Sequence, residues 1–203
     1  MVDPAGRVLG SLALVHWAAY QAWWNLPIRF SLGDSLPLHV CDLTGLACGF
    51  ALLTGKQWLT AITYFWGLAL STQAFVTPTV EWGPTYTEFW LFWETHTIIV
   101  GGAAYLVLVR NFRPTVRDLC LAYLSLVGYA AITLPMDLAT GWNYGYIGGG
   151  SPSSATLIDS LGSWPWRLLP MAGLTLLAML LLWLPWAIVR RRSGAAQTAH
   201  PLD

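Results

Sequence analysis

Charge is what this sequence has least of. Asp, Glu, Lys and Arg make up 10% of its 203 residues, and lysine occurs once, as Lys56. An ordinary soluble domain carries about 25% charged residues. The ten basic residues are scattered between apolar runs rather than gathered into a patch, which excludes the electrostatic footprint of a nucleic-acid binder. Only three cysteines are present, scattered over expected helices, and they suggest no disulfide framework. There is no HExxH, no internal repeat and no soluble domain. Lys56 falls in a turn rather than mid-helix, so a retinal-type Schiff base is not expected, and nothing calls for a cofactor. A cleavable signal peptide is not expected either, because the first apolar run lacks a basic lead-in and a small-x-small site.

What the sequence does have is apolar length. Residues of hydrophobic type make up 56% of the chain, with a mean hydropathy of +0.54 and 13 Trp. Lipid offers the backbone no hydrogen bonds, so such runs must be helical. The expected fold is an all-α integral membrane protein with six transmembrane helices, over about 8–25, 37–53, 58–76, 89–109, 117–138 and 167–189, each close to the ~20 residues a bilayer needs. Pro and Gly punctuate the connections, as in Thr77-Pro78, Gly83-Pro84 and the stretch 148–152. The whole of 1–203 reads as one polytopic domain, with 190–203 a basic, flexible tail.

Basic residues orient it. With both termini cytoplasmic, Arg7, Lys56, Arg110, Arg113, Arg117, Arg190, Arg191 and Arg192 lie inside and only Arg29 and Arg167 outside. The Glu81 loop and the Gly148–Ser154 loop are then external.

Polar groups at membrane depth are costly and mark candidate sites. Cys41 lies in the string DSLPLHVCDL (34–43), with His39 and Asp42 beside it, and Glu94 and His96 interrupt another apolar run at similar depth. Ser35 is a candidate N-cap with Pro37 in the first turn, which sets Cys41 near the positive end of a helix. His39, two residues away, is on nearly the opposite side of that helix and is a poor base for Cys41. His96 is the available base, and Asp42 the candidate to orient it. Gln73, Thr77, Asp137, Asn143 and Tyr144 sort to the same outer side. Against this stands plain packing. Cys41, Thr44-Gly45 and Cys48-Gly49 make a small-residue stripe of the kind that lets helices approach closely, and the aromatics suit an interfacial belt. Cys48 and Cys120, without polar neighbours, are expected to pack only. A metal alternative takes His39, Asp42 and His96 as zinc ligands, two His and a carboxylate leaving a position for water.

The string at 34–43, the Thr-Pro at 77–78 after YFWGLALSTQAF (64–75), His96 mid-helix, RPT at 113–115, and WNYGYI with SLGSWPW between 142 and 166 together resemble the YwaF and transmembrane protein 164 family, over about residues 20–185. The resemblance implies lipid chemistry. Eukaryotic members are described as cysteine-dependent phospholipid acyltransferases, with Cys and His at the positions of Cys41 and His96. Members usually carry one more N-terminal helix, often with its own His, so the chain reads as starting at the second, with either a truncated start or a seven-helix fold that has become six. The expected activity is thiol-dependent acyl transfer on a membrane phospholipid or lysophospholipid, in a bacterial inner membrane. Cys41 attacks, His96 removes and returns a proton, Asp42 orients His96, and His39 or Asn143 stabilises the oxyanion. The alternatives are a zinc-dependent lipid hydrolase and a non-enzymatic lipid-binding or proton-conducting protein. Oligomeric state is left open.

Overall fold

The computed structural model describes residues 3–150 and 156–198, with side chains up to 191. Residues 151–154 of the expected outer loop and 199–203 of the tail lie outside the described residues. Six α-helices follow one another: α1 (Pro4–Trp24), α2 (Val40–Thr54), α3 (Gln57–Ala69), α4 (Thr87–Leu108), α5 (Val116–Thr140) and α6 (Leu168–Thr198). No strand occurs among the described residues.

The helix ends follow from local chemistry. Asp3 caps α1 by accepting the Gly6 amide at 2.7 Å, with Pro4 supplying a helix-compatible φ behind it. This is why α1 begins before the apolar run at residue 8. At α5, Thr115 and Asp118 close a capping box, and Gly141, at φ 78°, ends the helix in the left-handed conformation a glycine tolerates. Gly55, at φ 65°, ends α2 in the same way.

Three expectations about the helices change. The run 58–76 is not one helix: α3 stops at Ala69 and tightens into a 3₁₀ turn over Ser71–Phe75. The last helix does not stop at 189, because α6 continues to Thr198. Finally, three helices, Thr87–Leu108, Val116–Thr140 and Leu168–Arg191, are long and apolar enough to cross a membrane. α2, with 15 residues, and α3, with 13, span only ~22 and ~20 Å, and α1 does not reach the same apolarity. Of the six spans expected, three are thus helices long and apolar enough to cross a membrane by length and composition, and three are shorter or less apolar.

Packing explains the difference. α2 and α3 form the middle of the bundle: α2 touches α1, α3 and α4, and α3 touches α2, α4, α5 and α6. The small residues of α2 make this approach close. A Cβ on Gly10 of α1 would sit 2.9 Å from the Gly49 carbonyl, and one on Gly102 of α4 would sit 2.2 Å from the Cys48 sulfur. The stripe expected from sequence is thus a packing surface, with Gly45, Cys48 and Gly49 all buried in it. Trp66 on α3 donates its indole N–H to the Ala122 carbonyl of α5 at 2.9 Å, and Tyr64 donates to the Leu182 carbonyl of α6 at 2.9 Å.

Candidate functional site

The loop before α2 sets the site. Ser35 does not cap α2; it is buried, donating to the Trp24 carbonyl at 2.8 Å and accepting the Ser31 amide at 3.0 Å, so it closes the connection from α1. The N-cap is His39. Its amide donates to Asp42 Oδ2 at 3.2 Å, so the carboxylate is used to start the helix. Cys41 therefore stands in the first turn of α2, higher than a start at residue 37 implied. The thiol is half-buried and points its proton at Asp42 Oδ1, 3.9 Å away.

Tyrosines wall this end. Tyr144 is fully buried, donating to the Leu32 carbonyl at 2.7 Å, and its ring lies 4.8 Å from that of His39. Gly145, at φ 67°, and Tyr146, at φ 59°, turn the chain, and the Tyr146 ring centroid lies 6.0 Å from that of His39. Burial pushes the Tyr144 phenol up to about 12 and raises that of Tyr146. Both stay protonated donors at neutral pH.

On α4, the His96 Nδ1 lies 2.7 Å from the Phe92 carbonyl of the turn before. A carbonyl only accepts, so Nδ1 carries the proton and Nε2 keeps its lone pair. Asp42 therefore does not orient His96; the backbone of α4 does. Cys41 and His96 are not hydrogen-bonded to each other, since the partner of each is another group.

The histidine that a carboxylate does hold is one the sequence reading passed over. His16, on α1, places Nδ1 3.6 Å from Glu94 Oε2 and Nε2 2.9 Å from Thr95 Oγ1. Glu94 thus has an imidazole beside it. An imidazole in the middle of an apolar helix was itself the missed signal. Asp42, Thr95, His16, Trp17 and Tyr20 border a cavity of about 10 Å³, where α1, α2 and α4 meet. That is room for the centre of one water molecule.

The remaining candidates separate. Gln73 is exposed on the 3₁₀ turn, and Thr77 contributes its backbone amide to the Gln73 carbonyl. Asn143 donates its side-chain amide to the Gly150 carbonyl at 3.1 Å, so that N–H is not free for an oxyanion. Asp137 is buried and accepts the Tyr144 amide at 3.1 Å, which shapes the loop. Cys120 is exposed on α5 rather than packed, while Cys48 is buried with its sulfur 3.8 Å from the Ile98 carbonyl. Among the described residues no three His, Cys, Asp or Glu side chains converge as metal ligands, so His39, Asp42 and His96 are not gathered into a zinc site.

The opposite end of the bundle holds a larger cavity of about 600 Å³, lined by residues including Thr54, Thr60, Arg110 and Arg113. Arg110 is committed there, donating from Nε to Asp3 at 2.9 Å and from its two other nitrogens to the Ala51 and Leu52 carbonyls at 3.0 and 2.5 Å.

The ordering of Cys41, His96 and the Tyr144 loop is the pattern by which the sequence resembled a known family. No curated protein and no solved structure matches the chain. The family comparison does, over residues 2–183, and the chain belongs to the TMEM164 family.

Proposed function

We propose that this protein transfers acyl groups between membrane lipids through a Cys41 thioester, with His96 exchanging protons with the substrate oxygens. One observation carries the reading. His96 is fixed by the Phe92 carbonyl with Nε2 as an acceptor, the form a general base needs, on a helix that packs against the one bearing Cys41. Asp42 and Thr95 border one cavity, so their neighbours Cys41 and His96 stand at the same level of the bundle.

The steps balance as follows. Cys41 Sγ, as thiolate, bonds to the carbonyl carbon of a phospholipid ester. The C–O bond breaks, and the lysophospholipid leaves with a proton that His96 Nε2 has first taken up from water, so that thiolate and imidazolium together are the form that attacks. An acceptor hydroxyl then gives its proton to His96 Nε2 and attacks the thioester, which releases Cys41. The Val40 and Cys41 amides are in the first turn of α2, where a helix leaves its N–H groups without intrahelical acceptors, and they supply donors for the oxyanion. These roles replace those expected of Asp42 and Asn143.

In this reading the three long helices and the bundle they enclose sit in a cell membrane, with all six helices crossing it, both termini cytoplasmic and the Cys41 end outward, as the basic residues direct. Labelling of single cysteines by an impermeant reagent tests the topology: a residue in the 81–85 loop should react from outside, one beside Arg113 only after permeabilisation.

Activity is tested with protein purified in detergent and mixed with a phospholipid carrying a labelled acyl chain and a lysophospholipid acceptor. Cys41→Ala and His96→Ala should each abolish transfer, and the double variant should be no worse, because groups acting as one unit lose function once. Cys48→Ala should keep it, and chelators should have no effect. Transfer retained in Cys41→Ala overturns the thioester.

A further inference from the structure

The large cavity at the end of the bundle away from Cys41 has no part in the chemistry proposed above. Its volume, about 600 Å³, is in the range of small-ligand sites. Its walls are helix ends. Thr54 closes α2, Thr60 stands in the first turn of α3, and Asn111, at φ 54°, turns the chain out of α4, with Arg110 and Arg113 on either side of it both bordering the space.

The charges around this space do not balance. Arg110 is committed: Nε donates to Asp3, and the other two nitrogens donate to the carbonyls that end α2. Asp3 is held in turn by Arg110, the Gly6 amide and the Tyr105 hydroxyl. Asp118, reached through Gln57 at 2.9 Å, accepts the Thr115 amide at 2.8 Å. Arg113 has no carboxylate within ion-pair distance among the described residues. Its guanidinium carbon lies 5.3 Å from the centroid of the Trp186 ring of α6. A guanidinium resting on an aromatic ring has one face occupied and keeps the N–H groups of its edge for an anion. Thr60, 6% exposed, adds a hydroxyl to the cavity wall, and Asn111 adds a carboxamide. A further guanidinium stands next door, where Arg190 donates to the Pro114 carbonyl at 2.8 Å.

We infer that this cavity binds a phosphate ester, with Arg113 gripping the phosphate and Thr60 and Asn111 donating to its remaining oxygens. The paired Arg110 and Asp3 leave the charge of Arg113 uncompensated, which selects an anion, and the fork of a guanidinium matches two phosphate oxygens. The space is larger than a bare phosphate fills, so the group it carries has room as well. With the protein oriented as proposed, the cavity opens at the level of the inner-leaflet headgroups. A phospholipid headgroup and a soluble phosphate ester present the same chemistry there. Cys41 is at the other end of α2, ~20 Å away, so the bound group takes no part in the thioester steps.

The test measures binding and needs no turnover. The full chain in dodecyl maltoside is titrated with dioctanoyl phosphatidylglycerol, and native mass spectrometry counts the adducts and gives their dissociation constants. Glycerol 3-phosphate is the soluble probe, and dioctanoylglycerol is the same lipid without phosphate. Arg113→Gln should weaken one adduct by about tenfold or more, as expected for losing hydrogen bonds to a charged group. Arg113→Lys should restore only part of it, because the fork is gone. Thr60→Val should weaken it by about threefold, the effect of one neutral donor. Arg117→Gln removes the same charge from an exposed position outside the cavity and should change nothing. Competition by glycerol 3-phosphate assigns the site to soluble esters as well as lipids, and binding of the lipid alone assigns it to the headgroup of a bilayer. Binding of neither phosphate probe overturns the site, as does an affinity that Arg113→Gln and Thr60→Val leave unchanged. Equal losses in Arg117→Gln and Arg113→Gln, or equal binding of dioctanoylglycerol, also overturn it, since they show attraction to surface charge or to detergent-like tails. A lipid held at the Cys41 end is a separate adduct that Arg113→Gln does not touch, so failure of the transferase reading leaves this site standing.

Discussion

The inner helices α2 and α3 and the outer helix α6 are made of similarly apolar residues and use them in opposite ways. α3 buries Leu59, Ala61, Tyr64, Phe65, Trp66 and Ala69 against four neighbours, and α2 buries a run of glycines, alanines and one cysteine. In α6 only 6% of the apolar window is buried, and Leu169, Leu177 and Leu181 are largely bare. Length follows from surroundings. A helix wrapped by protein can stop wherever a loop or side chain satisfies its ends, while a helix facing lipid must run the full thickness of the hydrocarbon. Cys41 and Asp42 are on a helix of the first kind, while His96 lies on the buried face of the long helix α4.

The sharpest way to break the contrast is a charge on the outer surface. Leu177→Lys, half exposed on α6, should weaken insertion by ~2.5–3.5 kcal/mol if lipid covers that face. A glycosylation-based insertion assay reads it, and full insertion with no cost would show that α6 faces something polar. Next in size is crowding inside. Gly102→Ala puts a methyl on the Cys48 sulfur and should cost ~1–3 kcal/mol in thermal unfolding in detergent. Adding Cys48→Ala removes the obstruction and should recover most of the loss. Additive losses in the pair would mean that the two helices are not in that contact.

The same change outside should do the reverse. Gly128 on α5 and Gly173 on α6 have nothing within 4 Å of a new Cβ, so alanine there should be neutral or stabilise by up to ~1 kcal/mol. A destabilised Gly173→Ala would reveal a covered face. The smallest effect concerns pH at the end of α1. The Tyr105 hydroxyl, the Gly6 amide and Arg110 hold the Asp3 carboxyl well below the usual range. A depressed folded value means that this contribution is complete above the unfolded value and is lost as pH falls below about 4. Melting temperature should drop on acidification in that window, and Asp3→Asn should flatten the drop. An unchanged slope would remove Asp3 from the account.

Helix existence was legible because apolar runs interrupted by Gly and Pro are a strong signal. Their inequality was not, because hydropathy counts side chains and does not say whether lipid or protein will cover them. The start of α2 shifted from 37 to 40 for a specific reason: Ser35 and Asp42 are both able to cap, and the tertiary bonds of Ser35 to Trp24 and Ser31 decide between them. Within the candidate site, Cys41 and His96 stand out in the sequence as polar, reactive groups in an apolar setting. The partners were not, because adjacency across helices depends on rotation about each axis. Hence Glu94 pairs with His16 on α1, and Asp42 is taken by the His39 amide.

Arg110 has a consequence for the electrical profile of the protein. By satisfying the Ala51 and Leu52 carbonyls beside an open polar cavity, it lets α2 end where water can follow. With the protein oriented as proposed, the insulating layer along α2 is ~22 Å, against ~30 Å for the surrounding bilayer. A membrane voltage then falls over a shorter distance there, so a charge moved along α2 does more electrical work per ångström than one moved through lipid.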